Sequence, residues 1–316
     1  MLEVRGFSQL MPKAKSHRPT PSITIIGPGR LGQAFALGLA GLGYSIHALV
    51  ARRAAAAEKA ARLLSAGPLQ IQALGLNQLA ALAPTDLVLI TTPDDAVEDV
   101  AHRLLAVKSG KGHGSVVLHT SGALSSEVLA PLAEIGFHTG SLHPLVSVSD
   151  PRTGAKALHG AYYCVEGDKA ATKLARRIVK DLNGHSFSVQ PAKKALYHAA
   201  ALTAAGHLTA LVDVAIEMLA SSGLSPSEAQ RVLMPLVESA VSNLKVSTPA
   251  QALTGTFARG DVATVKRHLA ALSRGKTTET LEIYKLLGVR SLQLAGKRGL
   301  DPQLAKKIRE LLDSQH

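Results

Sequence analysis

The chain has 316 residues, 46% of them hydrophobic, so it is long and apolar enough to bury a sizeable core and to form two domains. Its single cysteine, Cys164, excludes an internal disulfide framework and is typical of a reducing compartment. The formal net charge of +12 makes nucleic-acid binding one possibility, but the basic residues are scattered and no aromatic residues are interleaved with them. The same charge suits a protein that binds anionic cofactors and acids.

The N-terminal segment and one long apolar run decide the expected compartment. Residues 1–20 lack the apolar core of a signal peptide and precede the first predicted strand, so we expect a disordered extension, with Met11 as an alternative start. Residues 195–212 have nearly membrane-spanning length, but they include Tyr197, His207 and many alanines. We therefore expect a buried central helix in a soluble, cytoplasmic protein.

The first informative motif is a β-branched run followed by glycines. Residues 23–26 predict a buried parallel strand, and GPGRLG follows at once. In a dinucleotide-binding turn the first glycine permits the tight turn, the second lets the backbone approach a pyrophosphate, and the third lets the helix pack on the strand. A helix over 35–42 and a strand over 44–50 complete the β-α-β unit. The predicted cofactor-binding residues of this turn are Gly27, Pro28, Gly29, Arg30, Leu31 and Gly32.

The end of the second strand predicts which dinucleotide is bound. Arg52 and Arg53 stand where an NAD site normally offers an acid to the ribose hydroxyls. Arginine can form charge-assisted hydrogen bonds of roughly 1.5–3 kcal/mol each with the 2′-phosphate of NADP. Two such bonds would favour NADP over NAD by on the order of 100-fold or more. Alternatively, one or both arginines only solvate the start of the next helix.

The rest of the chain predicts an α/β fold, an N-terminal doubly wound Rossmann domain followed by an all-α domain. Pro191 marks the boundary, so the domains are predicted to span 21–190 and 191–316. Ser225 and Glu228 form a capping-box pattern, with Pro226 just inside the helix that they start. Further strands are predicted over 69–71, 86–92, 115–120, 137–142, 162–166 and 186–190.

Segments that follow the strands are candidates for ligand binding, because ligands of open α/β sheets lie beyond the carboxyl ends of the strands. After the fourth strand, the TTPDD segment brings Thr92 and Pro93 to the cofactor, and its two aspartates are expected to cap the next helix. After the fifth strand, His119, Ser121 and Gly122 come where a nicotinamide would lie.

His143, in the next segment SLHP, is a candidate for substrate binding. For both His119 and His143, the alternative is a structural role in the core.

A polar motif in the helical region, ALTGTFARGDVATVKRHL, holds the other candidate substrate-binding residues, Thr254, Arg259, Asp261 and His268. Arg259 can pair with a carboxylate through two parallel hydrogen bonds. Helical spacing places Asp261, Thr264 and His268 near one stripe. The alternative is that Asp261 caps a helix and Arg259 lies at the surface.

Six segments occur in an order that carries a family resemblance: GPGRLG, TTPDD, HTSGAL, GSLHPL, LYHAAA and the ALTG motif. Together, over residues 23–272, they resemble the Rossmann-like/DUF2520 family of candidate NADP-dependent oxidoreductases. This family is similar to ketopantoate reductase and pyrroline-5-carboxylate reductase, in the 6-phosphogluconate dehydrogenase-like superfamily. The resemblance implies NADP as cofactor, hydride transfer to a substrate held in the cleft between the two domains, and a helical domain that forms a homodimer.

The resemblance also implies a proton donor on a central helix of the second domain. Against the family pattern, LYHAAALTAAG places His198 at the donor's position and Gly206 where an asparagine is usual. At ~100° per residue, His207 lies about 180° from His198, so it cannot replace the asparagine without a kink.

The predicted function is hydride transfer between NADPH and the carbonyl or imine carbon of a small carboxylic acid, with a ketopantoate-like 2-oxo acid as leading candidate. His198 would protonate or polarise the developing oxyanion, and Arg259 would hold the carboxylate. Two other classes stay open: a non-catalytic NADP-binding sensor and a basic nucleic-acid-associated protein. We expect no metal, since HExxH and CxxC motifs do not occur in the sequence. The expected partners are the acid and a second copy of the chain, with neither nucleic acid nor membrane.

Overall fold

A computed structural model of the chain describes residues 20–64, 71–107, 114–274 and 278–314. The strands are β1 (Ser22–Ile26), β2 (Ser45–Ala51), β3 (Gln72–Gly75), β4 (Leu87–Ile90), β5 (Val116–His119), β6 (His138–Pro144), β7 (Tyr162–Gly167) and β8 (His185–Phe187). The helices are α1 (Arg30–Ala40), α2 (Ala54–Leu64), α3 (Val97–Val107), α4 (Ala130–Glu134), α5 (Pro151–Leu158), α6 (Lys169–Asp181), α7 (Lys194–Ala220), α8 (Pro226–Val246), α9 (Pro249–Ala252), α10 (Thr256–Arg259), α11 (Val262–Leu272), α12 (Thr278–Gly296) and α13 (Pro302–Asp313).

The described strands form one sheet in the order β3-β2-β1-β4-β5-β6-β7-β8. Neighbours from β3 to β6 are parallel, β7 is antiparallel to β6, and β8 is parallel to β7. The predicted α/β class, with a Rossmann-type sheet followed by a helical region, is confirmed. The chain order reverses between β1 and β4, and such a switch point is where doubly wound sheets bind ligands.

Helices cover both faces of the sheet, which explains the uncharged strand sequences. Successive side chains of a strand point to opposite faces, so Ile25 belongs to one buried cluster with Phe35 of α1, and Ile26 to another with Val97 and Val100 of α3. Because β1 is packed on both faces, the start of the glycine turn that follows it has a fixed position.

Three local expectations are corrected or lie outside the described residues. The predicted strand over 69–71 falls mainly on residues that are not described, and the third strand is Gln72–Gly75. The predicted extension over 1–20 likewise lies outside the described residues, apart from Thr20. The aspartates of TTPDD do not cap a helix: Pro93 is the N-cap, and Asp94 and Asp95 form the first turn of a short 3-10 helix.

The chain divides into two compact units between residues 205 and 206, inside α7. The boundary predicted from sequence, between 190 and 191, stays a prediction. In the second unit, α11, α12 and α13 pack around a core that includes Val265, Leu292 and Ile308. The capping box at the start of α8 is present, because the Ser225 and Glu228 side chains each accept a hydrogen bond from the other's backbone N–H.

The exposure of α7 corrects one expectation. We expected a buried central helix, but Lys194 is the one buried residue in this described helix. Leu196, Leu202 and Leu208 are 70%, 49% and 39% exposed. By length and composition alone, the segment Pro191–Ala220 could cross a membrane, with a mean hydropathy of 1.6.

Candidate functional site

The glycine turn after β1 has the geometry that a dinucleotide-binding loop requires. Gly27 has a φ of +92°, and a Cβ there would lie 2.7 Å from Cγ2 of Thr92 and 2.8 Å from its backbone nitrogen. A Cβ on Gly32 would lie 2.7 Å from the carbonyl oxygen of Gly27. That carbonyl accepts a 2.6 Å hydrogen bond from the Thr91 hydroxyl. Both positions therefore exclude any side chain, as the spacing of the motif predicts.

The first turn of α1 is open to an anion. Gly29 precedes the helix, and among the described residues no side chain caps it. A Cβ on Gly29 would meet one atom, the Gly27 carbonyl oxygen at 3.9 Å, so the space above it is free. Arg30 is exposed, whereas Leu31 is half-buried against the core. Uncapped N–H groups at a helix N-terminus favour phosphate.

A cleft of about 620 Å³ lies beyond the carboxyl ends of β1, β2 and β4. Arg52 and Arg53 line it and are exposed, and neither guanidinium forms a hydrogen bond or ion pair among the described residues. Asp95 and Asp99 line the cleft from the 3-10 helix and α3. The predicted cofactor residues that the structure brings together here are Gly27, Pro28, Gly29, Arg52, Arg53, Thr92 and Pro93.

Thr92 gives an independent sign that this cleft binds a polar ligand. Its hydroxyl oxygen is buried, and within the described residues it is the one buried side-chain polar atom without a hydrogen-bond partner. A buried hydroxyl without a partner costs ~1–3 kcal/mol. Thr92 also lines the cleft, so a bound phosphate or amide would satisfy it. The residues present fit a dinucleotide.

The loop after β5 is held rigidly by its own polar groups. His119 is fully buried; its Nδ1 accepts a hydrogen bond from the Ser121 backbone N–H at 3.2 Å, and its Nε2 lies 3.2 Å from the Ser125 carbonyl oxygen. Burial, aided by the charge of Lys194, lowers its pKa to about 3. His119 is therefore neutral and shapes the loop, while the Ser121 hydroxyl accepts the N–H groups of Ala123 and Leu124.

Two predicted residues from different elements, His143 and His198, meet beside Gly122. A Cβ on Gly122 would lie 2.8 Å from Nε2 of His143 and 2.6 Å from Cδ2 of His198, so only glycine fits. The two imidazoles are perpendicular, with centroids 5.6 Å apart. Nδ1 of His143 lies 2.7 Å from the hydroxyl of Tyr197. The loop, the end of β6 and the start of α7 thus form one polar cluster.

His143 is held as a neutral imidazole. Burial, followed by the charges of His198 and Lys194, lowers its pKa to about 4. If Tyr197 donates to Nδ1, then Nε2 carries the proton and is the nitrogen next to Gly122. A neutral imidazole in this tautomer can donate a hydrogen bond to a carbonyl oxygen without losing its proton.

Lys194 and Glu166 are site residues that the sequence analysis missed. The Lys194 side chain is completely buried, and the Glu166 side chain is 8% exposed. Their charged atoms lie 3.6 Å apart. The signal for Lys194 was its spacing, because Lys194, Tyr197 and His198 lie at i, i+3 and i+4 on one face of α7.

The distal substrate candidates belong to the second unit. Asp261 caps α11, accepting a 3.0 Å hydrogen bond from the Thr264 N–H, which lowers its pKa. His268 Nδ1 lies 2.8 Å from the Tyr284 hydroxyl. Thr254 and Arg259 are exposed. The structural role foreseen for Asp261 is therefore present, and substrate binding by these four residues stays a prediction.

Comparisons with known proteins agree with this architecture. Residues 11–144 match the Rossmann-like domain, and residues 161–291 match the family described as a domain of unknown function, DUF2520. The chain therefore contains a Rossmann-like domain followed by a DUF2520 domain. The resemblance deduced from the six motifs is confirmed. No curated protein sequence matches this chain.

Three solved structures share the fold. A protein of Bacteroides fragilis named as a candidate NADP oxidoreductase has 19% identity and a TM-score of 0.70, over 87% of this chain and 98% of its own. A 1-pyrroline-5-carboxylate reductase of Streptococcus pyogenes has 16% identity and a TM-score of 0.55, over 93% and 97%. An NADH-preferring ketol-acid reductoisomerase of an uncultured archaeon has 15% identity and a TM-score of 0.57, over 93% and 91%. At these identities the similarity shows the fold alone.

Proposed function

We propose that this protein is an NADP-dependent oxidoreductase acting on the carbonyl or imine carbon of a small carboxylic acid, with a ketopantoate-like 2-oxo acid as the first candidate. The observation that carries the proposal is the cleft at the β1/β4 switch point, where a glycine turn, an uncapped helix and two unpaired arginines come together. Hydride transfer is the chemistry that a bound nicotinamide dinucleotide would supply.

The preference for NADP over NAD rests on Arg52 and Arg53. Both side chains line the cleft at the end of β2, and the sequence has no acid between Ala51 and Glu58 to bind the ribose hydroxyls. The fold by itself does not decide the cofactor, since one relative of similar fold is named as NADH-preferring. The arginines are therefore the features to test.

The polar cluster at Gly122 is the proposed reaction site. His198 is the proposed proton donor to the developing oxyanion, and neutral His143 would donate a hydrogen bond to the same oxygen. Because a side chain at position 122 would collide with both imidazoles, glycine leaves the loop backbone in contact with them. Arg259 is the proposed ligand of the substrate carboxylate, with Thr254, Asp261 and His268 as further contacts.

A second copy of the chain is the proposed cover for the exposed apolar residues of α7 and α8. Val232 and Leu236, on adjacent turns of α8, are 60% and 67% exposed, more than a soluble monomer usually presents. On α7, Leu202 is 49% exposed. We propose a cytoplasmic homodimer. Light scattering should give twice the chain mass of 32.9 kDa, and Leu236→Glu should lower it. A monomeric mass would contradict the dimer. Sedimentation with lipid vesicles would contradict the cytoplasmic location.

Cofactor binding is the first test. Thermal shifts should be measured with NADPH and with NADH, because a ligand of the native state raises stability in proportion to RT ln(1 + [L]/Kd). We expect a large shift with NADPH, and a loss of affinity on the order of 100-fold in the Arg52→Ala/Arg53→Ala variant. Arg62→Ala is the matched control, since Arg62 is also exposed, in the last turn of α2, but does not line the cleft. No shift with either dinucleotide in the wild type would refute the proposal.

Turnover is the second test. NADPH oxidation should be followed with 2-oxo acids, ketopantoate first, and with pyrroline-5-carboxylate as the imine. His198→Gln should lower kcat by ~10²–10⁴-fold, the usual contribution of general acid catalysis, while exposed His159→Gln should not. Full turnover by His198→Gln would end the assignment of His198.

The two other classes have distinct outcomes. Tight NADPH binding without turnover of any carbonyl acid would favour a non-catalytic sensor. Binding to DNA or RNA that weakens steeply with salt would favour a nucleic-acid partner.

A further inference from the structure

A buried ammonium group lies beneath the reaction site proposed above. Lys194 Nζ lies 2.5 Å from the Ser141 hydroxyl oxygen, 3.3 Å from the Ser121 carbonyl oxygen and 3.6 Å from Oε1 of Glu166. Two of these oxygens accept hydrogen bonds from the ammonium, and the Glu166 carboxylate lies at ion-pair distance. The Lys194 side chain is 0% exposed, so the ammonium is closed to solvent.

Glu166 extends this contact to the far end of the loop after β5. Its two carboxylate oxygens accept hydrogen bonds from the backbone N–H and the hydroxyl of Ser126, both at 2.7 Å. Lys194 holds the loop at Ser121 and Glu166 holds it at Ser126. The ion pair therefore fixes both ends of the segment that contains Gly122.

The same pair ties the loop to β6 and α7. Ser141 and Glu166 are directly opposite on the antiparallel strands β6 and β7, and the Ser141 hydroxyl bonds Lys194. His143 follows Ser141 on β6, while Tyr197 and His198 follow Lys194 by one helical turn. All three elements of the polar cluster thus meet at one buried charge.

We propose that Lys194 and Glu166 are positioning residues, a buried ion pair that sets the distance between Gly122 and the two imidazoles and so aligns the reaction site. This inference rests on the proposed function for its catalytic part. It differs from a direct role of the lysine in proton transfer, because Lys194 acts through the loop, Ser141 and the imidazoles.

The charges around Lys194 are consistent with this role. Burial lowers the pKa of Lys194, whereas Glu166 raises it most among its neighbours, followed by Cys164 of β7 and Asp94 of the 3-10 helix. The imidazoles that face it are His119 of β5 and His143 of β6, and its charge lowers the pKa of each. A cation at this position therefore adds to burial, which is the larger cause of the lowered pKa of both imidazoles.

The kinetic test compares Lys194→Met with Lys193→Met, its exposed neighbour. Lys194→Met alone leaves a buried carboxylate without a counter-charge and can prevent folding, so the Lys194→Met/Glu166→Gln variant removes both charges. We expect kcat to fall by ~10–100-fold in both Lys194 variants, the effect of a small misplacement of reacting groups, with an unchanged KM for NADPH. Lys193→Met should behave as wild type. A kcat within about twofold of wild type in the double variant would overturn the proposal.

The second readout needs no turnover, so it separates failure of this inference from failure of the proposed function. Amide hydrogen exchange of Ala123 and Leu124, which bond Ser121, should accelerate in the double variant while exchange in α11 is unchanged. The pKa of His143, measured by NMR, should rise from about 4. Unchanged exchange and titration would overturn the positioning role even if kcat fell, because the removed charges would then act on the reaction directly and not through the loop.

Discussion

Two glycines of α1 provide a matched test of how closely this helix packs on the sheet. Gly32 and Gly38 are both buried helical residues without positive φ. A Cβ on Gly32 would collide with the Thr91 hydroxyl oxygen and lie 2.7 Å from the backbone oxygen of Gly27. A Cβ on Gly38 would meet its nearest atoms, in Ala155, Leu158 and Leu182, at 3.7–3.8 Å, which is ordinary contact.

The two alanine substitutions should therefore change the free energy of unfolding in opposite directions. In Gly32→Ala either α1 or the glycine turn must move, because the Gly27 oxygen belongs to the backbone, and such overpacking costs ~1–3 kcal/mol. Gly38→Ala replaces a flexible helical residue without a collision and should stabilise by ~0.5–1 kcal/mol. With an unfolding entropy of ~2.1 cal/mol/K per residue in a domain of about 200 residues, these changes lower Tm by ~2–7 °C and raise it by ~1–2 °C.

Differential scanning calorimetry with urea denaturation measures both variants. NADPH affinity should also fall in Gly32→Ala, because the first turn of α1 moves relative to the glycine turn, and should be unchanged in Gly38→Ala. Equal Tm values for the two variants would refute the packing described for Gly32.

Three further predictions follow from capping, titration and burial. Ser225→Ala removes the N-cap of α8 and should lower the free energy of unfolding by ~1 kcal/mol in urea denaturation. An unchanged urea midpoint would show that the cap does not stabilise the protein. His119 and His143 have folded pKa values of about 3 and about 4 against 6.5 unfolded, so the unfolded chain binds more protons between these values. Stability should be complete above about pH 6.5 and fall as pH drops towards 4, and a urea midpoint constant over that range would contradict this. Burial raises the pKa of the Cys164 thiol, so a thiol reagent should label it rapidly only after unfolding; rapid labelling of the native protein would be the opposite result.

The fold was predictable because its main signals are local. The β-branched run over 23–26, the glycine spacing and the Ser225/Glu228 pair each specify a structure through residues that are close in sequence. The burial of α7 was predicted wrongly for the opposite reason. An apolar composition indicates that a surface becomes covered, but it does not indicate whether the same chain covers it.

The cleft beside the glycine turn was easier to predict from the sequence than the polar cluster at Gly122. Gly27, Arg52 and Thr92 each follow a strand directly, and parallel strands bring their carboxyl ends to one edge, so their meeting needs only the strand order. The contact of Gly122 with His143 and His198 also needs the position of α7, which no pattern in the strands specifies.

Lys194 and Glu166 show most clearly what sequence patterns leave out. Spacing alone places Lys194 on the face of α7 that carries His198, so the direction of its side chain was within reach. Its partner was not, because Glu166 lies opposite Ser141 only since β7 runs antiparallel to β6. The apolar run of β7 is compatible with either direction. A buried charge pair depends on that direction completely: with β7 reversed, Lys194 would be buried without a counter-charge, at a cost of roughly 3–5 kcal/mol. The ion pair therefore ties the alignment of the polar cluster to a strand direction that the sequence does not reveal.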